Sequence, residues 1–501
     1  MLAGYTTQFA KDESAVASAQ KFPNDLTGYN NLSYAATALL PVSNAHQSTL
    51  NSYLARVNYS YKHKYNVTIS ERADGSSKLG ANHRWGFFPA IGLSWNASQE
   101  DFFKPLSRNI SNLKVRLTAG RTGNSEVPPY SALAALAPTN YYFNGALVTG
   151  IAPLQIANPD LKWETTTQYN AGFDLGLFND RVNFIFDVYY KKTSDLLLNV
   201  PFPLYTGYAS SLQNVGSVEN KGIELSLNTN NIKTKNFSWR STLVFAANRN
   251  KVLSLGGASS FFPLAPTGQV SPVIVQVGLP VSTFWGYSTN GLLTATDVSK
   301  GAPLLAGVSQ QEGDRKYVDW NGDGVVTTTD KHNLGSAQPK FTFGFTNTLN
   351  YQQFDLSFFF QGSYGNKIFN LLQQKLEIPT LSLNVSSTLL DRWSPTNPNG
   401  TFPKATNAPV AQVTDKYIED GSYAKLKNIT LGYTLSQGIV SRIHAKQLRV
   451  YVSAQNLFTI TSYSGYDPEV NFYDSDNTKQ GIDYGIYPPS RTFLAGLNVT
   501  F

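Results

Sequence analysis

Cysteine is absent from all 501 residues, which rules out a disulfide framework but says little about compartment. Charge is scarce: Asp, Glu, Lys and Arg make up 15% of the chain, against about 25% in soluble globular domains. Something other than charge must therefore keep this surface in its solvent. No run of about 18 apolar residues occurs, so a helical membrane span is excluded. Tilted strands of about ten residues are not excluded, and a mean hydropathy of -0.24 does not count against a membrane barrel. The net charge of +7 is scattered without any Lys/Arg block, so nucleic acid is not an expected partner. The opening MLAGYTTQFAKDES lacks a basic start, an apolar core and a small-residue cleavage site. It is not a signal peptide, and for a secreted barrel that suggests truncation.

Enzymatic signatures are missing as well. His46, His63, His83, His332 and His444 show no metal-ligand spacing, and there is no phosphate-cradling Gly loop or nucleophile elbow. Glu419 and Asp420 are adjacent carboxylates, but neighbours on a strand point to opposite faces, so a solvated loop end is expected there rather than acid/base chemistry. The chain is not expected to be an enzyme.

What is abundant is aromatic: 28 Tyr and 30 Phe, in runs that alternate with period two. From Val182 to Lys191, Val182, Phe184, Phe186, Val188 and Tyr190 share one face, opposite Asn183, Asp187 and Lys191. Phe354, Leu356, Phe358 and Phe360 form a second stripe, and Ile223, Leu225 and Leu227 a third. Phe493, Ala495, Leu497, Val499 and Phe501 close the chain in the same way. The pattern predicts about fourteen strands, at roughly 2–10, 50–62, 64–73, 84–97, 112–122, 163–178, 181–195, 219–232, 237–250, 338–351, 354–365, 421–435, 447–458 and 490–501.

The connections fall into two classes. Short ones lie at His63, at Asn179-Asp180, from Lys233 to Asn236 and at Gln352-Gln353, with two of about a dozen residues near 98–111 and 436–446. Long ones follow strand one, residue 122, residue 250 and residue 365. Short turns on one side and long loops on the other are the outer-membrane pattern, and a soluble domain has no reason to segregate them. The fold class expected is therefore all-β, an antiparallel transmembrane barrel with its apolar stripes facing lipid. Trp85, Phe87, Phe88, Trp95, Trp163, Phe178 and Tyr351 are placed near strand ends, where interfacial aromatic girdles lie.

One local motif carries chemistry. Asp319-Trp320-Asn321-Gly322-Asp323-Gly324 begins a twelve-residue run to Asp330 with the oxygen spacing of a calcium loop. Asp319, Asn321 and Asp323 stand at positions one, three and five, the Val325 carbonyl at seven and Asp330 at twelve. The usual Glu at position twelve is replaced by the shorter Asp. A structural Ca ion is the expectation, and an Asx-rich turn without metal is the alternative.

Several stretches resemble the SusC/RagA family of TonB-dependent transporters. They include SYLARVNYSYKHKYNVTISERADGSSKLGANHRWGFFPAIGLSW from residue 52, LKVRLTAGRTGN from 113, NVGSVENKGIELSLN from 214 and DWNGDGVVTTTD from 319. PKFTFGFTNTLNYQQFDLSFFFQGSYGN, YIEDGSYAKLKNITLGYTL, LRVYVSAQNLFTITSYSGYDPEV and YPPSRTFLAGLNVTF continue the series in family order. The resemblance implies a barrel of about 22 strands whose amino-terminal portion carries a plug and a TonB-contact motif, neither of which is found in this sequence. On that count residues 1–501 form the carboxy-terminal barrel portion, and 251–337 a long extracellular loop holding the Ca-type motif.

The resemblance further implies active import of oligosaccharides or peptides across the outer membrane, with a SusD-like surface lipoprotein and the TonB complex as partners. A passive porin, an adhesin built on long loops and a non-functional barrel fragment are the alternatives. Tyr141, Tyr142, Phe143, Trp285, Tyr287 and Trp393 are the loop aromatics placed to contact a substrate, although a structural role explains each as well. Phe501 resembles the terminal aromatic read by the outer-membrane insertion machinery; otherwise it is only the last lipid-facing side chain.

Overall fold

The computed structural model describes residues 1–202, 204–208, 210–263, 271–306, 310–378, 384–406, 411–473 and 476–501. Residues 264–270 and 307–309 of the expected loop 251–337 therefore lie outside the described residues.

Fourteen strands follow one another in a large antiparallel sheet whose spatial order is the chain order. They are β1 (Leu2–Val16), β2 (Val42–Tyr61), β3 (Tyr65–Ser76), β4 (Ala90–Asn96), β5 (Ile110–Asn124), β6 (Glu164–Leu177) and β7 (Val182–Ser194). After them come β8 (Ser217–Lys233), β9 (Phe237–Ser254), β10 (Phe341–Tyr351), β11 (Phe354–Tyr364), β12 (Tyr423–Thr434), β13 (Gln447–Thr461) and β14 (Thr492–Thr500). Among the described residues no helix is long and apolar enough to cross a membrane.

Period-two sequence becomes a two-faced sheet through its register. Phe345 lies opposite Phe360, Leu349 opposite Leu356, and Phe358 opposite Ile429, so the apolar stripe passes from strand to strand, interrupted on β10 by the buried Asn347 opposite Phe358. On the other face Gly344 meets Gln361, Thr348 meets Ser357 and Asn350 meets Asp355. Ring pairs such as Phe341 with Tyr364 at 5.1 Å and Phe354 with Tyr433 at 4.8 Å fix that register, each worth about 0.2–1 kcal/mol. The short turns work through left-handed residues: Lys62 and His63 have φ of 51° and 55°, and Phe178, Asn179 and Asp180 54°, 58° and 59°. The two successive positive φ values at Lys62 and His63 match the twist of the strands they join.

Three expectations need correction. The ladder of β1 and β2 extends to Val16 and Val42, so the first long connection is shorter than the sequence suggested. Its outer part, around Lys11, Asp12 and Glu13, is polar on both faces, so pairing continues where apolar alternation has stopped. The strand expected at 84–97 is broken into Trp85–Phe87 and β4, because Pro89 offers no N–H to a ladder. Phe88 and Trp163, expected in a girdle, are instead buried together edge to face at 5.3 Å.

Two compact units can be distinguished, with boundaries that fall inside strands. The first comprises 1–93, 118–169 and 192–217, and the second 94–117, 170–191 and 218–501. In the first, Leu79, Phe88, Val127, Leu161 and Trp163 form the core, and the Trp163 indole donates to the Arg84 carbonyl at 2.9 Å.

In the second unit the long connections are not structureless. Val273 and Phe284 from the stretch after β9 pack with Phe369, Leu371, Val413 and Tyr417 from the stretch after β11, and with Ile482 from the stretch after β13. Backbone bonds join the same three stretches, Phe369 N–H donating to the Gly481 carbonyl and Tyr287 N–H to that of Val413. The stretch 251–337 is thus one contributor to a loop assembly with its own core. Glu419, expected at a solvated loop end, accepts from Asn370 Nδ2 and from the Ser464 hydroxyl, both at 2.8 Å.

Candidate functional site

The run from Asp319 to Asp330 belongs to the loop assembly of the second unit. Val325 and Val326 pair in parallel with Leu304 and Leu305, and Val326 is buried with Tyr287 and Leu305. Trp320 stacks on His332 with centroids 3.6 Å apart, and His332 reaches the Asp330 carbonyl through Nδ1 and the Ser288 hydroxyl through Nε2.

Within the turn, side-chain oxygens serve the backbone. Asp319 accepts from Gly322 N–H at 2.7 Å and Gly324 N–H at 2.8 Å, and both glycines have positive φ, at 76° and 90°. Asp323 accepts from Val325 N–H at 2.9 Å, and Asn321 from Asp323 N–H at 2.9 Å. Asp330 is fully buried and accepts from the amides of Trp320, Asn321 and Thr327 at 2.8, 3.2 and 2.7 Å. Burial works to raise its carboxyl, and those amides outweigh the burial and hold it below the ordinary carboxylate range. Asn321 and Asp323 stand exposed on the turn, and Asp319 is half-buried. The donor set fits a cation in part: Asn321 and Asp323 are exposed, while Asp319 and Asp330 commit their oxygens to amides of the turn. Among the described residues no three His, Cys, Asp or Glu side chains group as a metal site.

The six loop aromatics do not form one cluster. Tyr141, Tyr142 and Phe143 end the first strand of a hairpin in the first unit, Ala135–Phe143 with Ala146–Gln155, turning at Asn144 and Gly145. All three are exposed. The others lie in the second unit. Trp285 is half-buried beside the core residue Phe284. Tyr287 is buried against Tyr317 at 5.4 Å, and Trp393 lies over Gly313, where a Cβ would stand 2.3 Å from the ring. Burial pushes the Tyr317 hydroxyl up to about 12.

A charged cluster escaped the sequence reading. Lys425 on β12 is 1% exposed and donates to Asp467 at 2.7 and 2.9 Å and to Glu469 at 2.6 Å. Lys427 donates to Glu469 at 2.8 Å, and Gln361 and Tyr423 donate to its other oxygen at 2.9 and 3.0 Å. Burial raises the Glu469 carboxyl, and the lysine bonds outweigh it, so the group sits below its ordinary range. The signal available in the sequence was two lysines on a strand and the acids of Tyr466-Asp467-Pro468-Glu469, 42 residues away.

The family described as TonB dependent receptor-like, beta-barrel matches residues 4–457. TonB-dependent receptor P3 of Formosa agariphila is 37% identical over 508 residues, which cover 100% of this chain and 50% of the relative. TonB-dependent receptor SusC of Bacteroides thetaiotaomicron is 32% identical over 477 residues, covering 91% and 44% respectively. The structure of the RagAB peptide transporter superposes with a TM-score of 0.81 at 26% identity, over 100% of this chain and 53% of that one. The chain thus spans about half the length of the curated relatives it matches. With the strand order, the two-faced register and these likenesses together, the chain belongs to the TonB-dependent receptor β-barrel family, as a SusC/RagA-like outer-membrane protein that crosses the membrane with strands.

Proposed function

We propose that the chain supplies barrel wall and extracellular loops to a TonB-energised importer of oligosaccharides or peptides. A SusD-like surface lipoprotein captures the cargo outside. The observation that carries this reading is the folded loop assembly on a two-faced sheet, joined to the similarity to a protein described as a peptide transporter. Deleting the full-length gene should abolish growth on one such cargo, and inactivating TonB should do the same. Growth that survives TonB loss would favour a passive pore. A tagged full-length protein should retain a lipid-anchored partner in mild detergent.

The reading extends to two local features. A structural Ca ion at the turn of Asp319, Asn321, Asp323 and the Val325 carbonyl, closed from position twelve by Asp330 through its amide bonds, would stiffen the turn, on the strength of the twelve-residue spacing. Calcium-soaked crystals of the full-length protein with an empty turn in the anomalous map would refute it. Phe501 would serve as an insertion signal, and its deletion from the full-length gene should slow insertion while sparing barrels already inserted.

A further inference from the structure

The apolar face of β8 and β9 changes character toward the end where the long connection after β9 leaves. On β8 the stripe of Ile223, Leu225 and Leu227 gives way to Lys221 and Glu219. On β9, Leu243 and Phe245 lie opposite Phe345 and Phe343, and Arg249 and Lys251 follow at the same parity. The opposite face fixes their height. Asn220 Oδ1 accepts from Asn248 Nδ2 at 2.9 Å and from Asn250 Nδ2 at 3.0 Å, so residue 220 is level with 248–250. Glu219, Lys221, Arg249 and Lys251 are therefore neighbours on the apolar face, and the three cations are exposed.

Acidic compensation is thin. The Glu219 side chain is 16% exposed, accepts from the Tyr190 hydroxyl at 3.4 Å and stands 4.0 Å from Lys221 Nζ. Arg249 gives Nη1 to the Asn248 and Lys340 carbonyls at 3.1 and 3.0 Å and has no acid partner among the described residues. Lys251 has no hydrogen bond or ion pair among them. Glu224 has the opposite strand parity to Glu219 and faces away. Like charges on paired strands repel, so three cations beside one acid favour an added anion.

Position along the strands selects the anion. Just below the cations, Tyr190 is exposed on the apolar face, and the Phe341 ring lies 5.1 Å from Tyr364 and 5.3 Å from Phe245. Aromatic residues of this kind mark the boundary between hydrocarbon and headgroups, and basic side chains just beyond them stand at headgroup height. The patch is local. At the same end of β12 and β13 the paired residues on this face are Ala424 and Ile460, and on β10 and β11 Phe341 and Tyr364.

We propose that Lys221, Arg249 and Lys251 bind the phosphate of an anionic membrane lipid, whose acyl chains lie on the apolar stripe below. A guanidinium fork and two ammonium groups match the several oxygens of a phosphate. The full-length transporter in non-ionic detergent is titrated with dioctanoyl phosphatidic acid, dioctanoylglycerol and inorganic phosphate, with bound species followed by native mass spectrometry. No transport is needed for the measurement.

The phosphatidic acid should bind about tenfold or more tightly than dioctanoylglycerol, which shares its tails, and raising salt should weaken it. Lys221→Gln/Arg249→Gln/Lys251→Gln should lose about tenfold or more, and the charge control Lys235→Gln, at the other end of β8, should match the parent. Heat-modifiable migration of each variant shows that it still folds. Equal binding of the two lipids, an unchanged triple variant, or an equal loss in Lys235→Gln overturns the proposal. Inorganic phosphate that binds as tightly as the phosphatidic acid and is lost in the triple variant overturns the lipid assignment in favour of a soluble phosphate.

Discussion

Lys425 and Asp467 form an ion pair across 42 residues of chain, with the ammonium 1% exposed and both carboxylate oxygens within 2.9 Å. The pair ties the connection between β13 and β14 down onto the polar face of β12, and Glu469 doubles the tie. A buried charge stripped of its partner is costly, about 3–5 kcal/mol. Lys425→Met should therefore release the stretch around Asp467 and Glu469, seen as faster amide exchange there, while the strands keep their protection. Unchanged exchange in that stretch would show that the backbone holds it without the pair.

The same cluster sets an acid limit. The Glu469 carboxyl is held below its ordinary value by the two lysines. A group with a depressed folded pKa contributes stability that is complete above its unfolded value, about 4.3 for Glu, and lost as pH falls through the folded value. Protease resistance of 462–491 should be constant from about pH 8 to 5 and should decline below about pH 4. The Lys425→Met variant should show a smaller decline, since much of the depression is gone.

How far the fold was legible follows from where the information sits. The stripe from Val182 to Tyr190 is local, and period two is enough to place β7 and its face. Trp163 was misplaced because its surroundings, Phe88 and the Arg84 carbonyl, come from residues about 80 positions earlier, beyond any local pattern. The loop core had the same problem: Val273, Phe369 and Ile482 lie in three connections far apart in the chain, and nothing local shows that they pack together. The calcium-type spacing was visible, but that Asp330 would commit its oxygens to three amides was not.

The turn at 319–330 should distinguish its acids by burial. Asp323→Ala removes an exposed bond to the Val325 amide and should cost about 0.5–1.5 kcal/mol locally. Asp330→Ala strands three amides and should cost more, with Asp330→Asn between them. Exchange rates at the Trp320, Asn321 and Thr327 amides give the ranking. If a cation binds there, added calcium should slow exchange in the parent and not in Asp323→Ala.

Gly80 offers the sharpest steric test, because its backbone and that of the 158–161 segment are in contact. Its N–H donates to the Leu161 carbonyl at 2.8 Å, and a Cβ would stand 2.1 Å from the Pro159 carbonyl oxygen and 2.8 Å from the Leu161 nitrogen. Neither neighbour is a side chain that can swing aside. Alanine must push the 158–161 segment away and loosen Leu79, Leu161 and Trp163, for a cost of about 1–3 kcal/mol. Gly438 is the control. It lies in the short helix Gln437–Val440, and a Cβ added there would meet no atom within 4 Å, so alanine should be neutral or gain up to about 1 kcal/mol. Thermal unfolding of the full-length protein should place Gly80→Ala below the parent and Gly438→Ala at or above it. If Gly80→Ala melts with the parent, the 158–161 segment yields freely, and the core of the first unit does not depend on that contact.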